Sequence, residues 1–441
     1  MPSSAAINAG DTAWVLISAA LVMLMVPGLA LFYGGMVRVK SALNMLMMSV
    51  TCLAVVTVVW VLYGYSLAFG PDAGGVIGTL RDVGFAGIGT DAVTGSVPTL
   101  AFAAFQLMFA AITAALLSGS IADRAKFGSW IVFVIAWVTV VYFPVAHWVF
   151  DPSGWIAAHL HALDLAGGTV VEINSGASGL ALAIVLGPRL GFKRDPMRPH
   201  SVPLVVLGGG LLWFGWFGFN AGSALASGGL ASVAFINTQV AGAAGVLGWL
   251  GVERRRDKHA TTLGAVSGAV AGLVGITPAC GSVNPLGALV IGLLAGVAAA
   301  YAVGLKFRLG YDDSLDVAGV HGVGGLVGTV LIGVLATAAV TGHARGLLYG
   351  GGFDQLGRQT LAAVVVGAYA FAMSWLIAKG VDRFLGFRVT RDDELAGLDL
   401  IVHGETAYDI AGHTAGVGRR IGQSVAAGHG VASQSSAKIR P

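Results

Sequence analysis

Eleven apolar runs of 18 residues or more recur along the chain, separated by short polar interruptions. They lie roughly at 12–34, 43–69, 99–120, 128–149, 169–187, 202–223, 229–251, 261–279, 285–305, 317–339 and 360–384. Each is about long enough to cross a hydrocarbon core of ~30 Å as a helix. The runs are continuously apolar and lack the period-two alternation of membrane barrel strands, so helices are the assignment. The fold class is therefore all-α, a polytopic membrane protein. With 56% hydrophobic and only 11% charged residues, a chain of 441 residues is excluded from the water-soluble class.

Basic residues orient such a bundle, because Lys and Arg near helix ends gather on the cytoplasmic side. Loops after odd-numbered runs carry fourteen of them, from Arg38 to Arg308, and loops after even-numbered runs only Arg81, Arg345 and Arg358. This places the N-terminus outside and the C-terminus inside. The net charge of +3 goes into that asymmetry, so Arg254–Arg256 reads as a solvated loop and no nucleic-acid partner is expected. The first run has no basic segment before it, exceeds a signal-peptide core and lacks a small-x-small cleavage site, so it reads as a retained helix. Cys52 and Cys280 fall inside or at the end of apolar runs and imply neither a disulfide framework nor a metal site. No cofactor is expected.

Residues 1–384 read as one membrane domain, 385–409 as a charged, ordered cytoplasmic regulatory segment, and 410–441, rich in Gly, Ala, Ser and His, as a flexible tail. Many of the 67 glycines sit in small-x-x-small patterns, which let membrane helices approach closely. The eleven runs divide as five plus five plus one. The fifth run of each half is entered through LDxAG, in "LDLAGGTVVEINSGASG" and "LDVAGVHGVGGLVG", which suggests an inverted repeat with a pathway between the halves.

Glu172 is the sole ionisable side chain of Thr169–Leu186, and His321 lies at comparable depth in the other half, each a few residues beyond an aspartate, Asp164 or Asp316. Ionisable groups at such depth usually face a pore or pair with one another. A two-fold relation between halves would bring Glu172 and His321 together near the midplane. The plainer alternative is a carboxylate bonded to backbone as a packing device. An aromatic set accompanies them: Phe105, Gln106 and Phe109 in "FQLMF", and Trp216, Phe219, Asn220 and Ser223 in "WFGWFGFNAGS". Such stripes are commonly core or lipid-facing. A hydroxyl and carbonyls beside ring faces could instead hold a small cation by hydrogen bonds and cation–π attraction.

These stretches, together with "AGDTAWVLISAALVMLMVPGLALFYGGMVR", "FQLMFAAITAALLSGSIADR", "GAVSGAVAGLVGITPACG" and the tail "GLDLIVHGETAY", resemble the ammonium transporters of the Amt/Mep/Rh superfamily, on the Amt/Mep side, from residue 9 to about 409. The resemblance implies a homotrimer in the cell inner membrane, in contact with lipid, with one narrow pore per protomer that carries ammonium and its analogue methylammonium. It maps ammonium recruitment onto Phe109 and Ser223, with Asp164 organising the site through backbone contacts and Asp316 as its counterpart. Where the family usually ends an A-H-W-x-W-like stretch in Trp, this chain reads "AHWVF" and has Phe150, so Trp148 or Trp155 could substitute. Phe109 and Phe219 match the family's stacked gate, with Phe105, Gln106, Trp216 and Asn220 nearby. Of the two histidines common at the pore centre, the second is His321, and the first is replaced by Glu172, a pattern found in some fungal and microbial members. Many prokaryotic members also bind a PII-type regulator on the cytoplasmic face.

Ammonium and potassium ions are close in size, so radius alone cannot separate them, whereas deprotonation followed by passage of neutral ammonia through an apolar lumen can. A proton relayed separately makes the net event electrogenic uptake. With Glu172 opposite His321 the titration belongs to the pair, and the resting state is either carboxylate with imidazolium or both neutral. Competing readings are an ammonium sensor signalling through a separate partner, an Rh-like neutral gas channel, and a metal-dependent membrane enzyme. The last lacks an HExxH motif and a third ligand, so the chain is read as not an enzyme.

Overall fold

The computed structural model describes residues 6–408. The expected tail at 410–441 lies outside them. Among the described residues ten helices are long and apolar enough to cross a membrane: α1 Ala9–Met36, α2 Val39–Phe69, α3 Thr99–Ile121, α4 Phe127–Phe150, α5 Gly168–Leu186, α6 Val202–Gly222, α7 Gly229–Arg256, α9 Pro285–Leu309, α10 Ala318–Leu335 and α11 Asp354–Leu385. The remaining apolar helix, α8, is Thr262–Ile276, shorter than the run at 261–279 suggests. Pro278, which has no N–H to donate to the preceding turn, follows its end, and the chain turns there instead. Two departures from the sequence boundaries have similarly local causes. α11 begins at Asp354 rather than near 360, because Gln355 and Gln359 are buried polar residues of its first turns. α10 stops at Leu335, and Ala338–Thr341 forms a separate turn.

The first helix of one half packs on the first of the other, α1 on α6, and the fifth on the fifth, α5 on α10. That pairing is what a two-fold relation between halves produces. α7 packs against α8 and α9, and α11 lies along α5. Close approach is required at Gly176, where an added Cβ would collide with the backbone of Gly322, so α5 and α10 cross in backbone contact. At Gly325 an added Cβ would stand 2.7 Å from the Cβ of Glu172.

Loops after odd-numbered helices gather at one end, called here the basic end, with residues 386–408 laid across them. Asp399 accepts from the backbone N–H groups of Leu43 and Asn44 at 3.0 and 2.8 Å, Glu394 from that of Leu190 at 2.6 Å, and Lys40 Nζ donates to the carbonyls of Glu394 and Leu395. Beneath this segment Arg124 is fully buried, donating to Ser314 Oγ at 2.6 Å and to the Asp312 carbonyl at 2.7 Å, while Arg189 grips the Asp312 carboxylate with two bonds of 2.8 and 2.9 Å. Burial opposes ionisation of Asp312, yet the Arg189 guanidinium holds its carboxyl below the usual carboxylate range.

Candidate functional site

α5 and α10 both open with a wide π-helical turn, Gly168–Ile173 and Ala318–Gly322, and these turns carry Glu172 and His321. Such turns are rare and recur at functional positions. Each is fastened at its start by an aspartate eight residues before the pore residue. Asp164 accepts from the N–H groups of Gly167, Gly168 and Thr169, all at 2.7 Å, and from the Thr169 hydroxyl at 2.5 Å. Burial pushes its carboxyl up, and these donors pull it back toward the ionised form. In the other half Asp313 does the equivalent work, accepting from the Ala318 N–H at 2.7 Å. Burial and the nearby Asp316 push the Asp313 carboxyl up to about 6.

The counterpart of Asp164 is thus Asp313, not Asp316. The shared LDxAG string misaligns the halves by three residues, whereas the interval from aspartate to pore residue is the same in both. Asp316 instead has a left-handed backbone, φ +64°, and pairs with the ammonium of Lys306 at 2.7 Å.

With both turns held, Glu172 and His321 meet: Oε2 of Glu172 lies 2.7 Å from Nδ1 of His321, and both side chains are buried. They face a lumen whose other walls are apolar or aromatic, among them Met25, Leu29, Phe32, Ile112, Leu212 and Trp216. The lumen has about 10 Å³ of room for water centres, roughly one water. Trp216 is fixed by its indole N–H, which donates to Thr277 Oγ1 at 2.8 Å. Above the lumen the rings of Phe109 and Phe219 lie 4.2 Å apart at 31°, with Phe105 edge-on to Phe109 at 4.8 Å.

Beyond the ring pair, Ser223 is partly exposed and donates to the Phe219 carbonyl at 2.8 Å, and Phe150 sets its edge on Phe109 at 6.4 Å. Trp148 does not join this cluster through its polar group. Its indole N–H goes to the Val76 carbonyl at 2.7 Å, and its ring packs on Tyr369 and Trp155. Gln106 is buried on α3, and Asn220 donates to Thr238 Oγ1 at 3.0 Å. Two supporting residues were not singled out from the sequence. Thr277 holds Trp216, and Gln359 of α11 both donates to and accepts from the backbone of Leu163, at 2.7 and 2.6 Å, next to Asp164. A buried glutamine at the start of an apolar helix was the signal available for the second. No cluster of metal-ligating side chains occurs among the described residues.

The Ammonium Transporter Family model matches residues 13–408. The chain belongs to this family. An ammonium transporter of Mycobacterium tuberculosis is 54% identical over 434 residues, covering 92% of this chain and 91% of that protein. One from Bacillus subtilis is 47% identical over 403 residues, covering 90% and 98%. Among solved structures, Saccharomyces cerevisiae Mep2 superimposes with a TM-score of 0.82 at 37% identity over 88% of each chain. A structure titled "Sensor Amt Protein" does so with a TM-score of 0.83 at 29% identity, covering 89% of this chain and 98% of that one. Family and fold together make this a multi-pass membrane protein of the ammonium transporter family.

Proposed function

We propose that this protein carries ammonium across the cell inner membrane by separating it into ammonia and a proton. The observation that carries the reading is the Glu172–His321 hydrogen bond of 2.7 Å inside an otherwise apolar lumen. Ammonium is recruited at the mouth by the faces and edges of Phe109 and Phe150 and by the Ser223 hydroxyl. It sheds a proton at the ring pair of Phe109 and Phe219, a gate that hydrated cations do not pass, and ammonia continues down the lumen. The proton travels by Glu172 and His321. A carboxylate has one oxygen on the imidazole and a second free to accept, so Glu172 receives the proton and His321 passes it toward the basic end, which is the cytoplasmic one. Because both products cross, the net event moves one positive charge inward with the membrane potential.

The assembly is proposed as a homotrimer, with the basic end available to a PII-type regulator. Currents from purified protein in liposomes test the mechanism. Wild type is expected to pass current with ammonium and not with potassium, and Glu172→Gln to lose about a hundredfold of it, the lower end for a lost proton-transfer group. The thermal midpoint of the variant should stay near that of wild type. Equal ammonium currents in the two proteins would end the Glu172 role.

A further inference from the structure

Two more chambers follow the lumen toward the basic end, and the residues they share define the exit route. The lumen and the next chamber, of about 220 Å³, have Phe32, Val270 and His321 in common. That chamber and the outer vestibule, of about 650 Å³, have Met36, Leu263, Leu315 and Asp316 in common. Asp316 is the one ionisable side chain at this second throat. Other charged groups of the inner chamber are occupied. Glu253 accepts from Trp249 Nε1, the Thr261 N–H and the Thr261 hydroxyl, and Arg256 is bound to Asp257 and to the Ala300 carbonyl.

Asp316 differs from its neighbours Asp312 and Asp313, and from Asp123 of the same end, which accepts from Arg38 and Arg189 and lines neither chamber. Asp312 and Asp313 each accept backbone N–H groups, whereas the only polar contact of the Asp316 carboxylate among the described residues is the Lys306 ammonium at 2.7 Å. Its side chain keeps 28% of its surface accessible, and its backbone holds a left-handed conformation that costs energy in a non-glycine residue. The throat therefore presents a carboxylate with free acceptor sites, already bound to an ammonium group. That group belongs to the chain itself, on a flexible four-carbon stem that also donates to the Asp313 carbonyl at 3.0 Å.

We infer that Asp316 is an exit site for ammonium, where the ion re-formed from ammonia and the relayed proton binds before release, and that Lys306 is the tethered ammonium that occupies the site between transport events. The balance is simple: ammonia leaving the lumen takes the proton delivered through His321, and the resulting cation displaces the Lys306 head from the carboxylate. Lys306 retains its bond to the Asp313 carbonyl while displaced. Its return expels the transported ion into the vestibule, where Arg189, Lys193 and Arg194 outnumber Asp195 and disfavour rebinding of a cation. This inference rests on the pore reading given above.

The test uses right-side-out liposomes carrying the full-length protein, with ammonium as the probe. Asp316→Asn suits the site, since asparagine tolerates the left-handed backbone and loses only the charge. It is expected to lower maximal current several-fold, to leave the external half-saturating ammonium concentration unchanged, and to raise the internal ammonium concentration that half-inhibits current at a fixed inward gradient. Asp316→Glu should restore part of the current. Lys306→Met, which removes the competitor and keeps the carboxylate, should lower that internal concentration several-fold. Wild-type values for internal inhibition in either Asp316→Asn or Lys306→Met would overturn the inference. Glu172→Gln in the same vesicles separates the two claims. Loss of its current beside an unaffected Asp316→Asn rejects the exit site alone, and an unaffected Glu172→Gln rejects the pore reading beneath it.

Discussion

By the resemblance read from the sequence, Phe150 stands where the family usually has tryptophan, and its ring lies 6.4 Å from that of Phe109 at the proposed mouth. A phenyl ring gives a cation a smaller and weaker negative face than indole does, and Trp148 does not compensate, since its ring is packed on Tyr369 and Trp155. Phe150→Trp is therefore expected to tighten recruitment by up to about 0.5 kcal/mol, a part of the whole cation–π attraction of an exposed site, which is up to about twofold in affinity. The readout is the external half-saturating concentration of the ammonium current, with maximal current unchanged. An unaltered or raised value would show that Phe150 does not face the recruited ion. The same scale explains why Glu172 could be recognised from sequence and its supports could not. A lone carboxylate in an apolar run is conspicuous, whereas Thr277 and Gln359 act through bonds to residues 61 and 196 positions away.

At the scale of the element, α5 and α10 determine whether Glu172 and His321 touch. Their π-helical openings were not legible, because no side-chain period distinguishes a single wide turn from ordinary helix. The repeat was legible, but its register was not: a string of matching letters around Asp316 outweighed the spacing that Asp313 satisfies through its bond to Ala318. Apolar length located the ten membrane-spanning helices found among the described residues, and helix ends failed where polar residues of α11 are buried or where Pro278 stops α8 short of a full span. The crossing of the two fifth helices gives a direct test. Gly176→Ala drives a methyl into the Gly322 backbone and should cost about 1–3 kcal/mol, as overpacking does, while forcing the helices apart. Gly357→Ala, on α11 with open space around it, is expected to be neutral or slightly stabilising. Thermal unfolding in detergent compares the two, and a lower midpoint for Gly357→Ala than for Gly176→Ala would contradict the crossing.

Across the whole molecule, the basic end links the segment after α11 to the pore helices through buried charge. Glu394 holds Leu190, its neighbour Arg189 holds Asp312, and the next residue, Asp313, caps the turn that carries His321. Asp399 anchors the other end of the segment by accepting from Leu43 and Asn44 at the start of the regular part of α2, as a helix-capping carboxylate does. Asp399→Ala should remove about 1 kcal/mol of local stability, typical of a lost cap, and so speed amide exchange at Leu43 and Asn44 about fivefold. The contacts of Glu394 and Lys40 with the first half of the segment remain in this variant, so the effect should spread over residues 398–403 and fade toward Arg388. Exchange at residues 312–321 should stay at the wild-type rate, because Arg124 and Arg189 fix that loop independently of Asp399. Hydrogen exchange followed by mass spectrometry on the detergent-solubilised protein resolves these three regions. Faster exchange at 312–321 would mean that the segment, and not the buried arginines, holds the start of α10 in place.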